Sequence, residues 1–174
     1  MNRCVAIVGM NGVGKTSFGK RLASTLGMKR IDTDQLFEKT HGNTHDYIAK
    51  NGWETYRVAE EKIVLQALRP NHVVTLSGGA VESPSIRAAL KDRAVVIWIQ
   101  AGPKRIHKHL ERAKVARPEF ADGLHHDAVK TMVEARNPHY EDVADIVLFP
   151  STSYAQQLPV ALRELEKFSV QKLQ

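Results

Sequence analysis

Gly9-Met10-Asn11-Gly12-Val13-Gly14-Lys15-Thr16 is the stretch on which the reading of this 174-residue chain turns. It fits the pattern G-x-x-x-x-G-K-[ST], and its surroundings fit as well. The apolar run Cys4-Val5-Ala6-Ile7-Val8 before it reads as a buried strand. Residues 15–26 after it read as a helix, with Gly27 placed to end that helix in a left-handed conformation. Glycines let consecutive backbone N–H groups converge on phosphate oxygens, and the helix that follows offers its positive end to the same anion. Asn11, Gly12, Val13 and Gly14 are thus expected to cradle a nucleoside triphosphate. Lys15 is expected to bridge its β- and γ-phosphates and Thr16 to ligate Mg²⁺. A dinucleotide pattern fits less well, because Ser17 stands where Gly or Ala is needed and Lys15 has no role.

Outward from this loop the chain alternates apolar runs with amphipathic stretches. Strands are expected at 4–8, 29–31, 72–76, 94–99 and 145–149. Helices are expected at 15–26, 35–40, 53–68, 84–91, 103–112, 126–135 and 155–168. Ser83 is placed to cap the helix that Pro84 opens. Strands separated by helices of this length imply right-handed parallel βαβ units, and near-continuous apolar strands imply a sheet covered on both faces. The expected fold is a single-domain, three-layer α/β/α sandwich with about five parallel strands over residues 1–174. Residues 113–124, with Pro118 and Gly123 and little apolar periodicity, read as a mobile lid loop.

Composition agrees with a globular domain: 43% hydrophobic and 25% charged, with a formal net charge of +6. Disorder, collagen-like repeats and a disulfide scaffold are excluded. The basic balance favours anionic partners without choosing among them. The single cysteine, Cys4, cannot form an internal disulfide and is expected to be a buried, inert thiol in a reducing, cytoplasmic setting. No apolar run approaches the roughly 20 residues that cross a bilayer, so no membrane partner is expected. The eight histidines lack metal-ligand spacing and read as surface residues. The basic run Lys104, Arg105, Lys108, Arg112 and Lys114 reads as a solvated face, since no nucleic-acid module or interleaved aromatics accompany it.

The phosphate loop leaves the acceptor open. Asp32 and Asp34 end a strand and, two apart in extended chain, would share one face. Asp32 could then hold Mg²⁺ and Asp34 could take a hydroxyl proton; the competing reading makes one of them, Asp34 above all, a helix cap. Arg57 on the 53–68 helix reads by itself as a solvated residue. Gly78 and Gly79, in Ser77-Gly78-Gly79-Ala80, permit close backbone approach to a ligand or form a plain turn. Arg117 in the lid could close over phosphates. Arg136, before Asn137-Pro138, reads as a cation at a helix C-terminus.

Taken together these positions resemble the shikimate kinase family, over residues 6–149. The resemblance rests on the phosphate loop and on Asp32-Thr33-Asp34, the family's D-x-D. Trp53-Glu54-Thr55-Tyr56-Arg57-Val58-Ala59-Glu60-Glu61 looks like its G-E-x-x-F-R-x-x-E, and Ser77-Gly78-Gly79-Ala80 stands for its T-G-G-G. Arg117-Pro118 matches the lid R-P, and Arg136-Asn137-Pro138-His139-Tyr140-Glu141 matches R-N-P-x-Y-E. The resemblance implies a P-loop nucleoside monophosphate kinase-like fold. It also implies a monomeric enzyme that transfers phosphate from ATP, with Mg²⁺, to the 3-hydroxyl of shikimate. Arg57 and Arg136 would grip the acid's carboxylate, while Asp34 would orient or deprotonate the hydroxyl. Gly79 would donate its N–H to the acid, Arg117 would cover the phosphates, and Asp32 would support the metal held by Thr16. Two departures stand out: Ala80 for the third glycine, strained if that position needs φ > 0, and Thr55-Tyr56 in place of a smaller residue plus Phe. They keep two alternatives in play, a kinase for another hydroxy acid such as gluconate and a sensor that binds shikimate or quinate without transfer.

Overall fold

The computed structural model describes residues 3–113, 118–120, 123–149 and 154–170. Five strands form one all-parallel sheet: β1 (Cys4–Val8), β2 (Lys29–Asp32), β3 (His72–Thr75), β4 (Ala94–Ile99) and β5 (Ile146–Leu148), in the order β2-β3-β1-β4-β5. Every residue of β1 and β4 is buried, as strands covered on both faces must be. The edge strands carry the exposed positions, Lys29 in β2 and Val147 in β5. The chain runs outward from β1 to β2, returns through β3, and then crosses to β4 on the other side. The crevice at the carboxyl end of β1 is therefore the point where strand order reverses, the place where open α/β sheets bind ligands.

Seven helices are described: α1 (Lys15–Leu26), α2 (Thr33–His41), α3 (Thr44–Ala67), α4 (Pro84–Arg93), α5 (Pro103–Ala113), α6 (His126–Val143) and α7 (Tyr154–Val170). Helix α1 buries Phe18, Gly19, Leu22 and Ala23, and Gly27 ends it at φ 63° as expected. Ser83 caps α4 by accepting from the Ile86 N–H at 3.2 Å.

Two helices depart from the sequence expectation. Helix α3 starts at Thr44 rather than at 53 and passes a kink at Gly52 (φ 82°). Its first part has little apolar periodicity of its own; Asn43 caps it, and Ile48 is its one buried residue. Helix α6 does not stop at 135 but runs through Pro138 to Val143. The proline removes one ladder hydrogen bond. Tertiary anchoring outweighs that loss: Tyr140 and Val143 are buried, and the Tyr140 hydroxyl donates to the Gly78 carbonyl at 2.6 Å.

The main core surrounds the sheet. A smaller cluster of Phe37, Ile48, Tyr56 and Ile63 sits between α2 and α3. Phe37 meets Tyr56 edge-on at 4.9 Å. Of the expected lid at 113–124, the described part contains the 3-10 turn Pro118–Phe120; residues 114–117 and 121–122 lie outside the described set. Among the described residues no helix is long and apolar enough to cross a membrane.

Cys4 is fully buried, and burial pushes its thiol up from an ordinary 9.0 to about 11. A pKa raised on folding contributes stability that is complete below the ordinary value and is lost as pH rises toward 11. Cys4 is therefore expected to resist a disulfide exchange reagent at pH 8 in the folded protein and to react fully in 6 M guanidinium, read as thiol released per chain.

Candidate active site

The phosphate loop leaves β1 through backbone that only glycine tolerates. Gly9 has φ 140°, and a Cβ there would stand 2.5 Å from the Ile99 carbonyl oxygen. Gly12 (φ 83°) and Gly14 (φ 92°) complete the turn, and Gly14 forms the N-cap of α1. This delivers Lys15 to the start of that helix, 7% exposed, where its Nζ donates to the Met10 carbonyl at 3.0 Å. The loop floors a cavity of about 540 Å³ lined by Asn11, Gly12, Gly14, Lys15, Thr16 and Ser17 below and by Arg112 of α5 above. His109 also faces it: its Nδ1 lies 2.9 Å from the Gly12 carbonyl and, since a carbonyl only accepts, carries the proton. Sequence had placed His109 among surface histidines; the helical phase of α5 brings it onto the loop instead.

Asp32 and Asp34 do not share an extended face. Strand β2 ends at Asp32, and α2 begins at the next residue. The cap is Asp32, not Asp34: its Oδ1 accepts from the Gln35 N–H at 3.4 Å, while Oδ2 accepts from the Thr16 hydroxyl at 3.0 Å and pairs with Arg30 at 3.3 Å. Because the helix starts immediately, Asp34 turns instead toward the crevice.

A second cavity, about 200 Å³, opens between α2, α3, the loop after β3, and α6. Arg57, Arg136, Gly78 and Gly79 all line it, so the structure brings together three stretches that lie far apart in sequence. Arg136 is not a helix-terminal cation: with α6 continuing past Pro138 it lies within the helix, 6% exposed. Its Nη1 lies 3.9 Å from the Met10 sulfur, and its Nε pairs with Glu82 at 2.7 Å. Arg57 is not a freely solvated residue either: half-buried, it pairs with Glu60 at 2.6 Å and with Glu82 at 3.0 Å. Burial alone would lower its pKa, but Glu60 and then Glu82 hold the guanidinium above its ordinary value.

Glu60, 4% exposed, had no role in the sequence reading although it stands one turn from Arg57. It accepts from the Tyr56 hydroxyl at 2.8 Å, the Ser77 hydroxyl at 2.5 Å and Arg57. Burial, and then the Glu60 carboxylate, push the Tyr56 phenol well above its usual range, so it stays a donor. The hydroxyl that distinguishes Tyr56 from the family's Phe is thus the group that binds Glu60. Backbone approaches closely at 78 and 79: a Cβ at Gly78 would stand 2.8 Å from Asn11 Oδ1 and 3.1 Å from its backbone N, and one at Gly79 would push the Arg57 guanidinium aside. Ala80 carries no such demand. It opens the 3-10 turn Ala80–Glu82, and among the described residues Asn71 is the only non-glycine with positive φ. Strain at Ala80 is therefore absent.

The two cavities share two residues: Asn11 and Asp34 line both. Asn11 also donates to Glu119 of the short turn at 2.8 Å. A phosphate tail on one side and a small polar acceptor on the other would meet at Asp34. Arg117 lies outside the described residues. Among the described residues no group of three or more His, Cys, Asp or Glu side chains is arranged to hold a metal ion.

The family model for shikimate kinase matches residues 11–165. The chain belongs to the shikimate kinase family. Among its relatives a shikimate kinase 2 of Yersinia pestis (strain Pestoides F) is 30% identical, covering 96% of this chain and 100% of that one. The shikimate kinase from Acinetobacter baumannii, solved in complex with shikimate, superposes with a TM-score of 0.85 at 25% identity, over 99% of this chain and 96% of that one. A gluconokinase from Sinorhizobium meliloti 1021 shares the fold more distantly, with a TM-score of 0.69 at 15% identity over 99% and 96% of the two chains.

The two glycine constraints have different consequences. Gly9→Ala meets backbone that cannot move aside and is expected to cost at least about 2 kcal/mol in urea unfolding. Gly79→Ala meets the end of a flexible side chain. Its unfolding midpoint in urea is expected to stay close to the parent's, because the Arg57 side chain can move aside.

Proposed function

We propose that this chain is an ATP:shikimate 3-phosphotransferase, and that Asp34, common to the walls of both cavities, is the point where transfer occurs. The observation that carries this reading is the shared wall: a glycine-rich phosphate loop on one side and a guanidinium pair on the other, joined at Asp34 and Asn11. Asn11, Gly12, Val13, Gly14, Lys15 and Thr16 hold the triphosphate, and Arg117, which lies outside the described residues, would supply a further cation to it. Arg57 and Arg136 seat the acid's carboxylate; planar guanidinium groups suit that anion. Gly78 and Gly79 bring backbone against the ring.

In the transfer the bond from the γ-phosphorus to the ADP oxygen breaks and a bond to the 3-oxygen of shikimate forms. Asp34 orients that hydroxyl and takes its proton. Phosphoryl transfer leaves little covalent work to the protein, so placement and charge neutralisation carry the rate. Lys15 neutralises charge on the β- and γ-phosphates. The Thr16 hydroxyl and Asp32 carboxylate, 3.0 Å apart, are an all-oxygen donor set of the kind Mg²⁺ takes when phosphates and water complete its shell. When bound there, Mg²⁺ would neutralise phosphate charge.

We place the enzyme in the cytoplasm as a monomer. A single cysteine, which rules out an internal disulfide, supports a reducing setting. The sensor alternative drew its support from strain at Ala80, and the backbone there has none.

Coupled ADP release is expected to depend on shikimate and to stay near background with gluconate or quinate; release independent of shikimate would overturn the assignment. Arg136→Ala is expected to raise the shikimate KM about 10–100-fold. Asp34→Asn is expected to lower kcat about 10²–10⁴-fold with little change in KM for ATP. Near-normal turnover would remove Asp34 from the chemistry.

A further inference from the structure

We propose that Glu82 is a positioning residue that sets the spacing and planes of Arg57 and Arg136 for the acceptor's carboxylate. The proposal rests on the reading of those two arginines given above. Glu82 ends the 3-10 turn that follows Gly79, and its backbone is fixed on both sides. Its N–H donates to the Gly79 carbonyl at 3.0 Å, and its carbonyl accepts from Arg87 Nη1 at 3.0 Å. From this fixed base the carboxylate spans two helices: Oε2 accepts from Arg57 Nη2 of α3 at 3.0 Å and Oε1 from Arg136 Nε of α6 at 2.7 Å. Both arginines line the smaller cavity, whereas Glu82 stands outside it, in the shallow groove on the other side of Arg57. The bridge therefore holds the guanidinium pair from behind.

Two cations facing one small cavity repel each other, and arginine side chains lose much rotamer freedom when they are held in place. A carboxylate between them offsets the repulsion and orders both groups before the acid arrives. Each guanidinium has five N–H donors, and the bridge takes one from each, leaving donors for the ligand. The opposing effect is that Glu82 adds a negative charge near an anion site. Its side chain is 40% exposed, so solvent screens that charge, while the hydrogen bonds act at contact. Ordering should outweigh repulsion.

The test compares parent, Glu82→Ala and Glu82→Gln enzymes on shikimate and on its methyl ester, which keeps the ring hydroxyls but lacks the anion. Glu82→Ala is expected to raise the shikimate KM about tenfold, with kcat and the ATP KM within about twofold. Glu82→Gln, which retains the length and one acceptor oxygen, is expected to fall between parent and Ala. The ester KM should change little in either variant. An unchanged or lowered shikimate KM in both variants overturns the proposal, as does an equal rise for acid and ester, which would mark a merely structural residue. If Glu82→Ala does not fold, the near-isosteric Gln variant carries the comparison. Arg136→Ala, run alongside, separates the two levels. If it too leaves the shikimate KM unchanged, the arginine reading fails and takes this proposal with it; if it raises KM while both Glu82 variants match the parent, the Glu82 proposal alone fails.

Discussion

A carboxylate taken out of water must be met by donors on nearly every side, or it costs several kcal/mol. Glu60 is in that position, and its three partners come from two elements, one turn of its own helix and the loop beyond β3. The Tyr56 hydroxyl and Arg57 guanidinium reach it along α3, and the Ser77 hydroxyl reaches it from the loop beyond β3. Satisfying one buried charge thereby fixes the distance from α3 to the end of the sheet, and with it the width of the smaller cavity. Removing any one donor would leave the charge underpaired, so the arrangement is held by a penalty as much as by an attraction.

The sheet supplies the other half of the geometry. Reversal of strand order at β1 puts the loops after β1 and β3 side by side, and Gly78, which has no side chain, lets Asn11 lie against it. Met10 joins the two halves: its carbonyl receives Lys15 and its sulfur lies near Arg136. Cationic groups that line the two cavities thus converge on a few residues of one loop, an arrangement suited to a reaction that needs close registration of donor and acceptor.

Much of this was legible in the chain. The phosphate loop was, because its glycines, lysine and threonine are each demanded by a local constraint: positive φ, close approach, and a helix start. The strands were, because burial on both faces writes itself as an uninterrupted apolar run. The roles of Asp32 and Asp34 were legible only as a pair, since which of them caps depends on where the strand stops. The first part of α3 was hidden because its stability comes from a cap and one buried isoleucine rather than from periodicity. The continuation of α6 through Pro138 was hidden because a hydrogen bond between Tyr140 and a distant carbonyl outweighs a local helix breaker. Glu82 and His109 were unreadable for a related reason: each looks like an ordinary surface polar residue until tertiary structure shows what it faces.

The small aromatic cluster around Phe37 has a wider consequence. Phe37, Ile48, Tyr56 and Ile63 form a core of their own beside the sheet's, and few buried residues hold α2 and the first part of α3, the condition under which local opening costs less than global unfolding. Amides in α2 and the first part of α3 should then exchange with solvent faster than those of β1 and β4.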